Sequence, residues 1–189
     1  VISVIMACYL GDYPGAATDR ERKLKRAIDS FLMQNIGELI IVADGCTKTV
    51  EIVKEYNNDA IKLIWMEKQV LFSGALRNEG IKHASYDWIC YLDSDDEFLE
   101  GHLDALIRNI DNNYEWMYYD DLVNGVRRNN TVSICRIGTT SIAHKKTVNA
   151  VWPDGYNHDW YFITQLGNNY KKIDGARYNL HHIPGKIDT

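Results

Sequence analysis

Four acidic side chains, Asp93, Asp95, Asp96 and Glu97, crowd into five positions directly after an apolar run in the stretch WICYLDSDDEF. Like charges this close repel, and none of them suits a buried strand. An EF-hand loop would place glycine at its sixth position, where this stretch has Phe98. Two readings remain. One is a solvated turn. The other is a divalent cation held by one or two carboxylates, with a phosphate completing its shell. In an extended segment the first and third side chains of Asp-x-Asp face the same way. Asp93 and Asp95 would then face one Mg²⁺ or Mn²⁺, and the ion would offset the repulsion.

The elements that must carry this cluster are legible in the hydrophobic pattern. ISVIMAC, ELIIVAD, AIKLIWM and DWICYLD read as strands, the first two as apolar runs covered on both faces. Between and after them, RERKLKRAIDSFLMQ, TKTVEIVKEYNN, SGALRNEGIKHAS and EGHLDALIRNI read as helices, with Thr47 and Ser73 placed as N-caps. Strand and helix alternating over 1–110 implies right-handed βαβ units and a mostly parallel sheet with helices on both faces. Beyond that, EWMYYDDLV, TVSICRI and YKKIDGARYNLHHI read as strands, and HKKTVNAV and NHDWYFITQLG as helices. Ligands bind such sheets at the carboxyl ends of the strands. Three clusters fall there: ADGC after the second strand, SGALRN after the third and DSDDE after the fourth.

SVIMACY, AIDSFLMQ, ELIIVADGCTKTVEIV, SGALRNEGIKHASYDWICYLDSDDEF and HDWYF, in that order over about 1–166, resemble the family-2 glycosyltransferases of GT-A fold. The resemblance implies one α/β GT-A domain over 1–189, with a nucleotide-binding half (1–110) and an acceptor-binding half (111–189). It implies an inverting transferase that moves a sugar from a nucleotide-diphosphate sugar, a UDP-sugar by preference, to a hydroxyl acceptor, with Mn²⁺ or Mg²⁺ as cofactor. By the same resemblance Asp44 contacts the base, and Arg77 approaches the diphosphate or braces the acidic loop. Asp93 lies near ribose and metal, Asp95 ligates the metal, and Asp96 bonds backbone amides of the next turn. Asp159 is the base in the HDW segment, where His158 replaces the family's usual acidic neighbour. His158 competes for the role, because imidazole titrates near neutrality. His182 would meet the metal or the diphosphate, and Lys186 a phosphate. Aromatic faces suit sugar rings, so Trp152 and Tyr156, close to Asp159 in sequence, are the expected acceptor contacts. Asp154 in WPDG reads as a turn residue. The chain departs from the family pattern at Ala43, Cys46 and Lys48, and in the longer loop ACYLGDYPGAATDRERK, which carries Asp12 and Arg20 toward the nucleotide edge.

Bulk properties bound the partners. The 189 residues carry a net charge of −5, with no basic surplus to neutralise nucleic-acid phosphates. The opening VISVIMACYL is too short to span a bilayer and reads as a buried strand. Cys8, Cys46, Cys90 and Cys135 show no C-x-x-C pairing, which suits free thiols in a reducing compartment. The expected location is cytoplasmic, and a glycan, lipid-linked or polymer acceptor is compatible with peripheral association at a membrane face. Two other classes compete. A sugar nucleotidyltransferase would need a Gly-rich basic loop after the first strand, which ACYLGDYPG lacks. A non-catalytic domain binding a nucleotide sugar or a partner protein fits the altered ADGC and NHD segments.

Overall fold

The computed structural model describes residues 1–14, 16–68 and 72–181. The chain begins β1 (Ser3–Cys8), α1 (Arg20–Leu32), β2 (Glu38–Asp44), α2 (Thr47–Glu55), β3 (Ile61–Met66), α3 (Gly74–His83) and β4 (Trp88–Tyr91). It continues β5 (Glu97–Phe98), α4 (His102–Arg108), β6 (Trp116–Tyr119), β7 (Asp121–Val123) and β8 (Val126–Arg128). A 3₁₀ turn (Thr139–Ser141) leads into β9 (Ile142–Lys145), followed by α5 (His158–Gln165), β10 (Tyr170–Ile173) and β11 (Tyr178–Leu180). A seven-stranded sheet runs β10-β6-β9-β4-β1-β2-β3, and a smaller one runs β5-β11-β7-β8. Within the large sheet β9 is antiparallel to both neighbours, and the other pairings are parallel.

Alternation along β1 and β2 builds a core on each face of the sheet. Val4, Met6, Leu39 and Ile41 join Leu24, Ile28 and Phe31 of α1 and Leu103 and Leu106 of α4. Ile5, Ile40 and Val42 point the other way, toward Leu76 of α3 and Phe162 and Ile163 of α5. The α3 helix lies so close to β1 that a Cβ on Gly80 would stand 2.5 Å from Ile5 Cγ2. Among the described residues no helix is long and apolar enough to cross a membrane.

The first half follows the sequence pattern closely, and the second departs from it. EWMYYDDLV is two strands in different sheets, broken at Asp120. YKKIDGARYNLHHI also divides, with Gly175 at φ 86° between β10 and β11. TVSICRI forms turns instead of a strand, with Cys135 at φ 61°. HKKTVNAV is no helix, because His144 and Lys145 finish β9, paired to β4 on one side with His144 also paired to β6 on the other. Cys46, not Thr47, occupies the N-cap of α2. Ser73 is the N-cap residue of α3, without a side-chain capping bond. All four cysteines are free, three buried and Cys135 exposed.

Candidate functional site

Parallel registration of β1, β2 and β4 brings Cys8, Asp44 and Asp93 to one rim. At the end of β2, Asp44 is buried, and its Oδ2 accepts a bond from Lys68 Nζ at 2.6 Å. Lys68 also stands over the Tyr9 ring, 4.3 Å from its centroid. Gly45 has φ 62°, and a Cβ there would stand 2.7 Å from the Lys68 backbone nitrogen. Only glycine permits both the turn and that approach. In the long loop after β1, Arg20 donates to the carbonyls of Tyr9, Leu10, Gly11 and Ala17, so its guanidinium braces the loop.

The acidic stretch is a turn and not an extended segment. The Asp96 N–H closes it by donating to the Asp93 carbonyl at 3.2 Å. Asp96 is 2% exposed. Its Oδ2 accepts from the Tyr178 hydroxyl at 2.9 Å, and its Oδ1 from the His181 N–H at 2.7 Å. Asp96 therefore anchors β11, where the sequence pointed to amides of the next turn. The same Tyr178 hydroxyl accepts from the Asp93 N–H at 3.0 Å. Burial, and then the charges of Asp93 and Asp95, push the Asp96 carboxyl well above the usual carboxylate range. Asp93 and Asp95 are half-buried on the open side, and the Asp95 carbonyl accepts from Arg26.

These are hard oxygen donors, under mutual repulsion that a cation would offset. Mg²⁺ and Mn²⁺ are commonly held by one or two carboxylates plus phosphate and water, a set that Asp93 and Asp95 fit. Among the described residues no three His, Cys, Asp or Glu side chains converge as a cation site. His182 and Lys186 lie outside the described residues. Their neighbour His181 faces Glu97, with Nε2 2.7 Å from Oε1.

Arg77, on α3, joins this turn to a second cluster. It is buried, and its Nη2 donates to Asp93 Oδ1 at 3.2 Å. Among the described residues its buried Nη1 has no hydrogen-bond partner. Its positive charge also acts on Asp159 and His158. Asp159 lies in the first turn of α5, where the helix terminus favours a carboxylate. Its Oδ1 accepts from the Thr139 hydroxyl at 2.5 Å and from His158 Nε2 at 2.8 Å. His158 Nδ1 in turn meets the Gly155 carbonyl at 3.0 Å. Both ring nitrogens face acceptors, which favours the doubly protonated ring. The Asp159 hydrogen bond raises the His158 pKa most strongly, against burial. Burial would raise Asp159, but the His158 bond and charge, the Thr139 hydroxyl and the Arg77 charge outweigh it and hold the carboxyl below its usual range. In its doubly protonated form the ring has no lone pair to accept a proton, and the carboxylate is then the basic group of the pair.

The two aromatic expectations separate. Tyr156 is 86% exposed, edge-on to Phe72 with centroids 5.4 Å apart. Phe72, at φ 44°, also lies 6.0 Å from the His158 ring. Trp152 is only 2% exposed and is no open platform for a sugar. Its ring stacks on Phe162 at 3.9 Å and sits 4.8 Å from the Arg77 guanidinium carbon. Its Nε1–H donates to the Tyr91 hydroxyl at 2.9 Å, and Tyr91 donates to His144 Nε2 at 2.6 Å. Burial holds His144 down to about 4, as that acceptor role requires. The Trp152 backbone is clamped by Asn78 through two bonds of 2.9 Å. Trp152 therefore fixes the segment ahead of α5 to α3 and β4.

Comparison with known proteins adds three findings. The family described as Glycosyl transferase family 2 matches residues 3–178. An uncharacterized glycosyltransferase of Methanocaldococcus jannaschii is 30% identical over 132 residues, covering 64% of this chain and 43% of that protein. The GalNAc(5)-diNAcBac-PP-undecaprenol beta-1,3-glucosyltransferase of Campylobacter jejuni is 29% identical over 110 residues, 56% of this chain and 36% of that protein. The chain thus spans less than half the length of these relatives. Among solved structures, S. aureus TarS in complex with UDP-GlcNAc gives a TM-score of 0.77 at 18% identity, over 98% of this chain and 59% of that one. The mannosyltransferase PcManGT from Pyrobaculum calidifontis, in complex with GDP-Man and Mn²⁺, gives 0.71 at 13% identity, over 97% of this chain and 58% of that one. Likeness at these identities is one of fold.

Proposed function

The chain belongs to glycosyl transferase family 2, and on that premise we propose that it transfers a sugar from a nucleotide-diphosphate sugar to a hydroxyl acceptor with inversion. The observation that carries the reading is Arg77. A buried guanidinium with one nitrogen on Asp93 and another without a partner among the described residues calls for an anion at the rim. A diphosphate supplies one, between the acidic turn and the Asp159 pair. UDP is the proposed nucleotide, supported by the fold shared with the TarS complex. Asp44 would meet the base, with its Lys68 ion pair rearranging to admit it.

Asp95 and Asp93, with His182, are the proposed holders of Mn²⁺ or Mg²⁺, and Lys186 a proposed phosphate contact. A cation there would stabilise the charge that develops on the departing nucleotide diphosphate. Asp159, ionised at neutral pH, takes the proton of the acceptor hydroxyl as its oxygen attacks the anomeric carbon. One attack opposite the leaving group inverts the configuration. Residues 1–110 supply the donor contacts and 111–189 the base and the acceptor contacts. Tyr156 remains an acceptor contact in this scheme; Trp152 acts through position alone. The Campylobacter relative's name supports a lipid-linked glycan among the acceptor classes, and a cytoplasmic location at a membrane face is proposed alongside it.

A thermal-shift panel of UDP, GDP, CMP and dTDP, with and without Mn²⁺, tests the donor site. A ligand at 100 times its Kd adds about 2.7 kcal/mol, or roughly 5–10 °C for a domain of this size. The expected result is a shift with UDP that depends on Mn²⁺ and disappears in Asp95→Ala. No shift with any nucleotide would return the acidic stretch to a solvated turn on a non-catalytic domain.

A further inference from the structure

We infer that Thr139 and His158 hold Asp159 by one oxygen, Oδ1, so that Oδ2 is the atom that takes the acceptor proton; this rests on the transferase reading above. Both donors converge on Oδ1, one from the 3₁₀ turn and one from α5. Among the described residues no donor reaches Oδ2. Thr139 is itself buried, and Ser141 in the same turn donates to the buried Asp121 Oδ2 at 2.7 Å, which ties the turn to β7. The hydroxyl that grips Asp159 is therefore rigidly mounted.

Gly138 supplies a second, independent observation. Its backbone is extended, at φ −130°, so the fold does not demand glycine there. Among the described residues a Cβ on Gly138 would meet one atom within 4 Å, Asp159 Oδ2, at an ordinary contact distance of 3.6 Å. Glycine leaves that side of the oxygen uncovered by any side chain of its own. In the transfer, the acceptor O–H proton goes to Oδ2 and the acceptor oxygen bonds to the anomeric carbon. The bond from that carbon to the diphosphate breaks, and its electron pair leaves with the nucleotide diphosphate. The charged groups that act on Asp159 are His158 on its own helix and Arg77 from α3. Thr139 is a positioning residue, since it touches only the base.

Two measurements test this. In ¹³C-carboxyl NMR titrations, Thr139→Val should move the Asp159 midpoint up by about one pH unit, and Thr139→Ser should restore it. An unmoved midpoint in Thr139→Val would overturn the two-donor grip. UDP release from UDP-GlcNAc in Mn²⁺, with water as acceptor, reads the reactive oxygen. Gly138→Val should lower it about tenfold or more with UDP affinity unchanged, because a branched side chain beside Oδ2 displaces the acceptor. Wild-type release in Gly138→Val would overturn the assignment to Oδ2. Unimpaired release in Asp159→Asn would instead sink the base reading itself. If the wild-type protein releases no UDP, the donor reading fails, and with it the proton transfer assigned to Oδ2.

Discussion

Asp159 and His158 drive each other's pKa values apart, the imidazole up and the carboxyl down. The raised His158 value means that its share of the pair's stabilisation is complete below its ordinary 6.5 and is lost as pH rises through the folded-state value. The depressed Asp159 value works on the other limb: its share is present above the ordinary 3.8 and lost as pH falls through the folded-state value. Melting temperature measured from pH 6 to 9 should therefore fall more in the wild-type protein than in His158→Gln; parallel curves would contradict the pairing. Arg77→Met should weaken UDP binding tenfold or more, about 1.4 kcal/mol, by calorimetric titration. Unchanged affinity would mean that the unpartnered Nη1 meets no phosphate. At this scale the HDW segment drew attention to Asp159 and His158, which the structure pairs at 2.8 Å. Thr139 was not legible, because a hydroxyl twenty positions away becomes a partner only through the tertiary fold. Lys68 and Tyr178 were missed for the same reason. Trp152 was misread because spacing does not say which face of an aromatic ring is already covered.

The short β11 strand settles the acidic turn, and Tyr178 is the joint. One hydroxyl accepts from the Asp93 N–H and donates to Asp96 Oδ2. Tyr178→Phe leaves two buried polar groups short of a partner, at about 1–3 kcal/mol each. The expected outcome is a melting temperature lower by about 4 °C or more, together with weaker Mn²⁺-dependent UDP binding. A variant that melts lower yet binds UDP as before would show that the turn holds its shape without β11. Packing of α3 on β1 gives a plainer test. Gly80→Ala would set a methyl 2.5 Å from Ile5 Cγ2, and overpacking of this kind costs about 1–3 kcal/mol. Denaturant midpoints would show it. Elements from β1 to β4 were legible because each shows an apolar run or a helical period within its own stretch of sequence. The strands after α4 were legible only in part: EWMYYDDLV and YKKIDGARYNLHHI read as strand, but their division did not, nor did β8 and β9. They are three or four residues long, and EWMYYDDLV contributes to two sheets at once. Their pairing is decided by partners as distant as Tyr170 with Trp116.

The whole molecule sets two clusters of charged side chains on one rim. Parallel strands deliver Asp44 and Asp93 there, while α5, behind the antiparallel β9, delivers Asp159. Arg77 lies between the two groups, bonded to Asp93 and acting by its charge on Asp159. The sheet is continuous across the proposed donor and acceptor halves, since β9 pairs with β4 on one side and β6 on the other. On the proposed reading this rim transfers a sugar from a nucleotide-diphosphate sugar with Asp159 as base. The most direct measurement is UDP release from UDP-GlcNAc in Mn²⁺ by wild-type protein and Asp159→Asn, at equal UDP occupancy. Release by the wild type is expected, with a loss of about 10²-fold or more in the variant and UDP affinity retained. Equal release by the two proteins would contradict that reading.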